Sequence, residues 1–323
     1  MTDLSGDIGN KFKGVKFETN RKLTLKNIIN QKQLIFMSFP FLIYFFVFAY
    51  YPIWGWLMAF QDYKPAKSIF DQTWVGFKHF KFLFSDESFL RVLRNTLGMS
   101  IINIVLGFAS AIFLAVMLNE IKNAMFKRTI QTISYLPHFL SWVIAAGIIS
   151  TALSTEDGII NILLMKLQII DSPILWLSEG KYFWGIVGVS NVWKEVGWNT
   201  IIYLAAITSI DPALYEAADI DGAGRLRKIF NITLPGIKST FVILLIMTIG
   251  RILDAGFEIQ YLLGNGMVID WSETIDIFVL KYGISMSNFS FATAAGIFKS
   301  IVSITLLLGA NYIAKRLGEE RLI

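Results

Sequence analysis

The sequence predicts an all-α polytopic membrane protein with six transmembrane helices and cytoplasmic N and C termini. Three observations carry that reading. First, the 323 residues are 54% hydrophobic and only 16% charged, where soluble domains run near about 25% charged. Second, six apolar runs each approach the roughly 20 residues that a helix needs to cross a bilayer. Third, Lys and Arg are unevenly shared between the connecting segments. The termini and the 120–128 and 208–239 connections hold 17, and the other three connections hold 9. The richer side is expected to be cytoplasmic. The same rule accounts for the net charge of +5 and removes the argument for a nucleic-acid partner.

Residues 1–33 form a basic cytoplasmic segment. Leu23, Leu25, Ile28 and Ile29 among its lysines suggest a short interfacial helix, with a basic tail as the alternative. The apolar run that follows is longer than a signal-peptide core and ends in no small-residue cleavage site, so it reads as an uncleaved first span over 34–60. The remaining spans are expected at 95–119, 129–153, 183–207, 240–263 and 291–314, and residues 34–323 form one membrane domain. The absence of cysteine excludes disulfides, iron–sulfur clusters and thiolate metal sites.

Between the fourth and fifth spans lies a polar stretch, YEAADIDGAGRLRKIFNITLPGI, residues 215–237, with three acids and three bases. Asp211 is a good N-cap, and Pro212 suits the first helical position. Residues 213–220 hold no helix breaker. Gly222 and Gly224 then turn the chain. A second helix is expected over 225–232, closed by Pro235.

The spacing within this segment is specific. Glu216, Ala217 and Ala218 are followed after three residues by Gly222, and nine residues later by Ile232, Leu234 and Pro235. The pattern resembles the EAA signature of the permeases of binding-protein-dependent, type I ABC importers. Three further stretches, YYPIWGWLMAFQDYKP, WVGFKHFKFLF and YLPHFLSWVI, are similar to the carbohydrate branch of that family, which serves maltose, oligosaccharides and polysaccharide fragments. The resemblance runs from about residue 34 to the end and implies a type I ABC importer transmembrane domain in a bacterial plasma membrane. It implies that 211–237 is a coupling segment docking on a cytoplasmic ATPase through Glu216, Ala217, Ala218, Gly222, Ile232, Leu234 and Pro235. In that role Glu216 pairs with a basic group of the partner, the alanines permit close backbone approach, and Gly222 permits the turn. Arg225, Arg227 and Lys228 serve either the same contact or the positive-inside bias. The implied partners are a second, homologous permease, two ATPase subunits, an external substrate-binding lipoprotein and a carbohydrate.

The chain has no phosphate-binding loop of the form G-x-x-x-x-G-K-[ST]. ATP and Mg are therefore expected on the partner ATPase, with no cofactor, metal site or enzyme activity on this chain. His79 and His138 lack ligand partners at metal spacing. His138, following Pro137, reads as a hydrogen-bonded residue near a proline kink, with a transport role as the alternative.

Ionisable residues inside spans are costly and tend to be functional. The fourth span carries Asn191, Lys194, Glu195 and Asn199, with Trp193 and Trp198 beside them. Spacings of four place Asn191, Glu195 and Asn199 on one helix face. Arg251, Asp254 and Glu258 are expected on one face of the fifth span, and Lys299 lies in the sixth. These residues either line the translocation path, bonding sugar hydroxyls and stacking on sugar rings, or lock helices together as ion pairs. The external stretch WVGFKHFKFLF is either a docking surface for the binding protein or an interfacial helix. The function expected is carbohydrate import by alternating access. The rival readings are an ion-coupled secondary transporter using Asp254 and Glu258, or an ABC importer for a non-sugar solute.

Overall fold

The computed structural model describes residues 31–318. The expected N-terminal interfacial helix lies outside them. By its contacts the chain divides into two units, Met1–Gly55 and Trp56–Ile323.

In the first unit, α1 (Lys32–Phe45) runs into a π turn, Phe46–Tyr50. A 3-10 stretch, Tyr51–Phe60, continues the chain into the second unit.

The second unit opens with a short antiparallel pair, β1 (Gln61–Asp62) and β2 (Thr73–Trp74). The Gln72 side chain staples the intervening loop, bonding the carbonyls of Lys64, Lys67 and Ser68. Next comes α2 (Lys78–Ser85). The second span is α3, Glu87–Glu120, eight residues longer at its N-terminus than expected. The reason is local: Asp86 accepts a hydrogen bond from the Ser88 amide and caps the helix there.

The third span is not one helix. α4 (Ala124–Tyr135) passes through a 3-10 turn, Leu136–Phe139, and meets α5 (Trp142–Ala152) at 105°. Pro137 lacks the amide that would continue the helix. Leu140 is extended, and Ser141 caps the new helix by accepting from the Ile144 amide. After α6 (Ile159–Lys166), the fourth span is α7, Gly180–Thr208. It lies along α3 through small residues and polar links. A Cβ on Gly188 would strike Ile102, and Thr200 Oγ1 donates to the Ala111 carbonyl at 3.2 Å. Small residues that let helices close up, and hydroxyls that bond across them, are what membrane helix pairs use.

α8 (Pro212–Ile220) follows, then α9, a helical run over Arg225–Gly236. Pro235 does not close this run as expected. The residues before it, Ile229–Thr233, form a π turn. That widening shifts the hydrogen-bond register, so the proline is tolerated within the run. The break comes at Ile237, where α10 (Lys238–Ile249) leaves at 54°.

The fifth span is also interrupted, against expectation. α10 ends at Ile249, turns follow, and α11 resumes over Glu258–Leu263. Gly256 has φ +90, a conformation that only glycine adopts without strain. α12 (Ile269–Ser272) and α13 (Ile275–Leu280) lead to α14, Phe289–Arg316, the sixth span. Among the described residues, three helical stretches are long and apolar enough to cross a membrane, or up to six if each bent pair counts as one span.

Among the described residues, four buried clusters hold the second unit together, the smallest being Ala59, Ala294 and Ile297. Phe89, Leu253, Phe278 and Phe291 join α3 to α13 and α14. Met99, Phe183, Val187 and Ile259 join α3, α7 and α11. Ala111, Tyr203, Ile207, Ile229 and Ile237 anchor α9 on the same ends of α3 and α7.

Candidate functional site

The polar segment builds itself from local rules. Asp211 accepts from the Ala213 amide at 2.9 Å and starts α8, with Pro212 at its head. Gly222 ends it in the left-handed conformation, φ +72. The Ala223 amide bonds back to the Ala218 carbonyl at 2.8 Å and the Gly222 amide to Asp219 at 3.1 Å. This is a Schellman cap, which needs a residue without steric penalty at that position. Two side-chain links then fold α8 onto α9. Tyr215 Oη and Thr233 Oγ1 are 3.0 Å apart, and Lys228 Nζ donates to Asp219 Oδ1 at 2.7 Å.

The signature residues divide into two groups. Glu216, Ala217 and Gly222 are exposed, Ala218 is half-buried, and the exposed apolar side chains Leu214, Ile220, Leu226 and Phe230 surround them. Ile220 is 88% exposed. Ile232 and Leu234 are turned inward, Leu234 against the Ile207–Ile229–Ile237 cluster, while Pro235 sits exposed before the break. One end of the motif therefore anchors the segment to the helices. The other presents a carboxylate, small residues and apolar side chains outward.

Asn191, Glu195 and Asn199 lie four residues apart along the unbroken α7 and reach different neighbours. Asn191 Nδ2 donates to Asn103 Oδ1 on α3 at 3.1 Å, and Asn103 Nδ2 to the Ala255 carbonyl at 3.3 Å. Asn199 and Asn103 border a cavity of about 230 Å³ between α3, α7 and α10, with Thr248, Arg251 and Asp254 at one end. Ser100 and Tyr203 also line it, and their hydroxyls are buried without a hydrogen-bond partner. Sequence reasoning missed Ser100, Asn103 and Tyr203. Lone polar residues in long apolar runs were the available signal.

Glu195 points elsewhere, to the corner of the third span. His138 Nδ1 donates to Glu195 Oε2 at 2.7 Å, and the imidazole lies flat on Trp198 with ring centroids 4.4 Å apart. Lys194, 4% exposed, donates to the His138 carbonyl at 2.9 Å and to Glu195 Oε1 at 3.1 Å, beneath the Trp142 ring. Trp193 turns to an apolar groove with Ile148, Ile149 and Trp176.

Arg251, Asp254 and Glu258 do not share a helix face, because the fifth span is interrupted between them. Arg251 is 80% exposed and touches Asp254 at 3.4 Å. Asp254 also pairs with Lys299 of α14, which reaches Asp276 at 2.6 Å. Glu258 opens α11 and is exposed.

Comparisons with known proteins agree with this architecture. The permease YteP of the polygalacturonan/rhamnogalacturonan transport system of Bacillus subtilis (strain 168) is 44% identical, the match covering 94% of each chain. The crystal structure of a bacterial ABC transporter involved in the import of the acidic polysaccharide alginate superposes with a TM-score of 0.83 at 39% identity. The match covers 90% of this chain and 98% of that one. A second crystal structure, the bacterial alginate ABC transporter in complex with an alginate pentasaccharide-bound periplasmic protein, gives the same TM-score and identity. Residues 91–319 match the family described as binding-protein-dependent transport system inner membrane component. With the motif, the fold and these likenesses in agreement, the chain belongs to that family: it is a membrane permease component of the ABC importers and has the type I permease fold.

Proposed function

We propose that this chain is one of two permeases of an ATP-driven importer that carries an oligosaccharide or polysaccharide fragment across a bacterial plasma membrane. The observation that carries the proposal is the divided coupling signature. Its Ile-x-Leu-Pro end is rooted in the bundle, and its Glu-Ala-Ala…Gly end is exposed beside unpartnered apolar side chains. Residues 34–323 cross the membrane six times with both termini cytoplasmic, and residues 1–33 are a basic cytoplasmic extension. ATP and Mg are bound by two partner ATPases, which grip Glu216, Ala217, Ala218 and Gly222. ATP binding favours one conformation of the assembly and hydrolysis the other, so the differential affinity for ATP drives alternating access. Support for a carbohydrate cargo comes from relatives whose names specify polygalacturonan, rhamnogalacturonan and alginate. An external binding protein delivers that cargo; support comes from the similar alginate transporter, whose structure is in complex with an alginate pentasaccharide-bound periplasmic protein.

On this chain the cargo path includes the polar cavity bounded by Asn103, Asn199, Tyr203 and Arg251. Its amide groups suit sugar hydroxyls, its apolar residues suit the faces of sugar rings, and Arg251 and Asp254 pair with each other at its edge. The ion-coupled alternative rested on free carboxylates at Asp254 and Glu258, and Asp254 is held by Lys299 and Arg251.

The test is co-purification from native membranes in mild detergent. Wild type is expected to bring down an ATPase and a second permease. Glu216→Lys is expected to lose only the ATPase. Wild-type material that retains its paired permease and carries no ATPase overturns the proposal.

A further inference from the structure

The corner in the third span poses a chemical problem. In α4 and its 3-10 extension the helix stops at Phe139, so the His138 carbonyl has no amide four residues on to bond with. At membrane depth no bulk water takes its place, and an unsatisfied carbonyl there is costly. The structure supplies a donor from another helix. Lys194 of α7 reaches the His138 carbonyl at 2.9 Å and is almost fully buried in doing so. A cation at a helix C-terminus is also favoured by the helix dipole. Glu195 closes the circuit. One of its oxygens accepts from Lys194 and the other from His138 Nδ1. No other ionisable side chain lies within ion-pair distance of this triad among the described residues.

A second, independent feature lies one turn along α7. Gly197 faces the backbone of α4 so closely that an added Cβ would overlap the Ser134 carbonyl. The inner half of the third span is thus fixed to α7 at two adjacent points. α7 in turn ends three residues before α8, the exposed coupling helix.

We propose that Lys194 is a positioning residue that locks the corner of the third span, so that α4 moves with α7 as one body when the coupling segment moves. Lys194 and Glu195 then act on the helix frame, not on the cargo. The lock itself stands on geometry alone. Its part in transport rests on the function proposed above.

This chain has no native cysteine, so introduced cysteines are its only labelling sites once cysteines of the partner subunits are replaced. Spin labels on the purified permease assembly at Ile133→Cys and Ile148→Cys span the corner. Labels at Ile133→Cys and Ile202→Cys span α4 and α7. Double electron–electron resonance should give narrow distances for both pairs, with the α4–α7 distance the same in nucleotide-free and ATP-bound states. Lys194→Met should broaden both distributions in the nucleotide-free assembly and reduce sugar uptake per ATP hydrolysed. Lys194→Arg, which still donates to a carbonyl, should restore narrow distances. Unchanged distances in Lys194→Met overturn the proposal, and lost transport with unchanged distances would assign Lys194 to the cargo instead. An α4–α7 distance that shifts with nucleotide also overturns it. If Lys194→Met fails to assemble, Glu195→Gln removes the charge shared by His138 and Lys194, and intact narrow distances in that variant overturn the lock. The nucleotide-free distances require no cargo, so a failure of the sugar reading shows separately, as absent uptake with the corner intact.

Discussion

Asp219 and Lys228 face each other across the Gly222 turn, carboxylate to ammonium at 2.7 Å, and tie α8 and α9 together. Asp219 is 64% exposed, so the pair works largely in water. Exposed pairs contribute about 0.2–1 kcal/mol. Asp219→Ala is therefore expected to lower stability by less than about 1 kcal/mol and to leave ATPase co-purification intact. Thermal unfolding and pull-down of the same preparation check both halves.

Gly222 carries more weight than that ion pair. Nothing lies within 4 Å of where its Cβ would be, so a side chain has room. The penalty is conformational: φ is +72, and a branched residue in the left-handed region costs on the order of 1–2 kcal/mol. Asn tolerates that region better than Val. Gly222→Asn should retain most ATP-driven uptake, and Gly222→Val should lose it while the protein still inserts. Reconstituted uptake assays separate the two. Equal loss in both variants would mean that the glycine serves close approach of the partner and not the turn.

Gly197 presents the reverse case, with a helical conformation but no space. A Cβ there meets the backbone carbonyl of Ser134, which has no rotamer to yield. Gly197→Val should separate α4 from α7 and lower the melting temperature of the purified assembly. Gly107, whose Cβ would meet nothing within 4 Å, provides the control. Gly107→Ala should leave melting nearly unchanged.

Lys299 serves two acids, Asp254 and Asp276. Removing it leaves Asp276 without this cation and Asp254 with the exposed Arg251 alone. Loss of one partner from a fully buried pair costs about 3–5 kcal/mol. Asp254 is 39% exposed, so a cost nearer about 2 kcal/mol is expected for Lys299→Met. Adding Asp254→Asn should recover part of it. A double-mutant cycle on thermal stability reads the coupling, and additive effects would show that the contact carries none.

Tyr203 has a buried hydroxyl with no partner, bordering the polar cavity. An unsatisfied buried polar atom costs about 1–3 kcal/mol, so its removal does not destabilise. Tyr203→Phe should leave stability unchanged or slightly raised. If cargo supplies the missing partner, the same variant should raise the KM for sugar uptake about tenfold, the equivalent of one hydrogen bond. Unchanged KM would place the cavity off the path.

The helix–turn–helix fold of residues 211–237 was legible from sequence because its determinants are neighbours in the chain. The Asp211 cap, the Pro212 start and the Gly222 turn each act within a few residues. The ends of the spans were legible to within a turn where hydropathy changes sharply, as for α7 and α14. The second span exceeded expectation because Arg91 and Arg94 looked like loop residues. In the structure Arg94 lies over Trp184 and Trp271, and Arg91 pairs with Asp270. Those partners are about 90–180 residues away and invisible to any window along the sequence.

The sequence by itself determined that the chain is a helical membrane protein with a polar helix–turn–helix segment, residues 211–237, between two apolar runs. Composition, charge asymmetry and local turn chemistry are enough for that. Only the tertiary structure decided where spans three and five are broken. A broken helix frees backbone carbonyls, and in a membrane that break persists only if another element supplies the donors. Lys194 does so for His138, and Asn103 and Gln260 do so for Ala255. The apolar run is the same whether the helix is straight or broken, and the decision rests with side chains from other helices, joined at Ala255 by Gln260 from further along the same run.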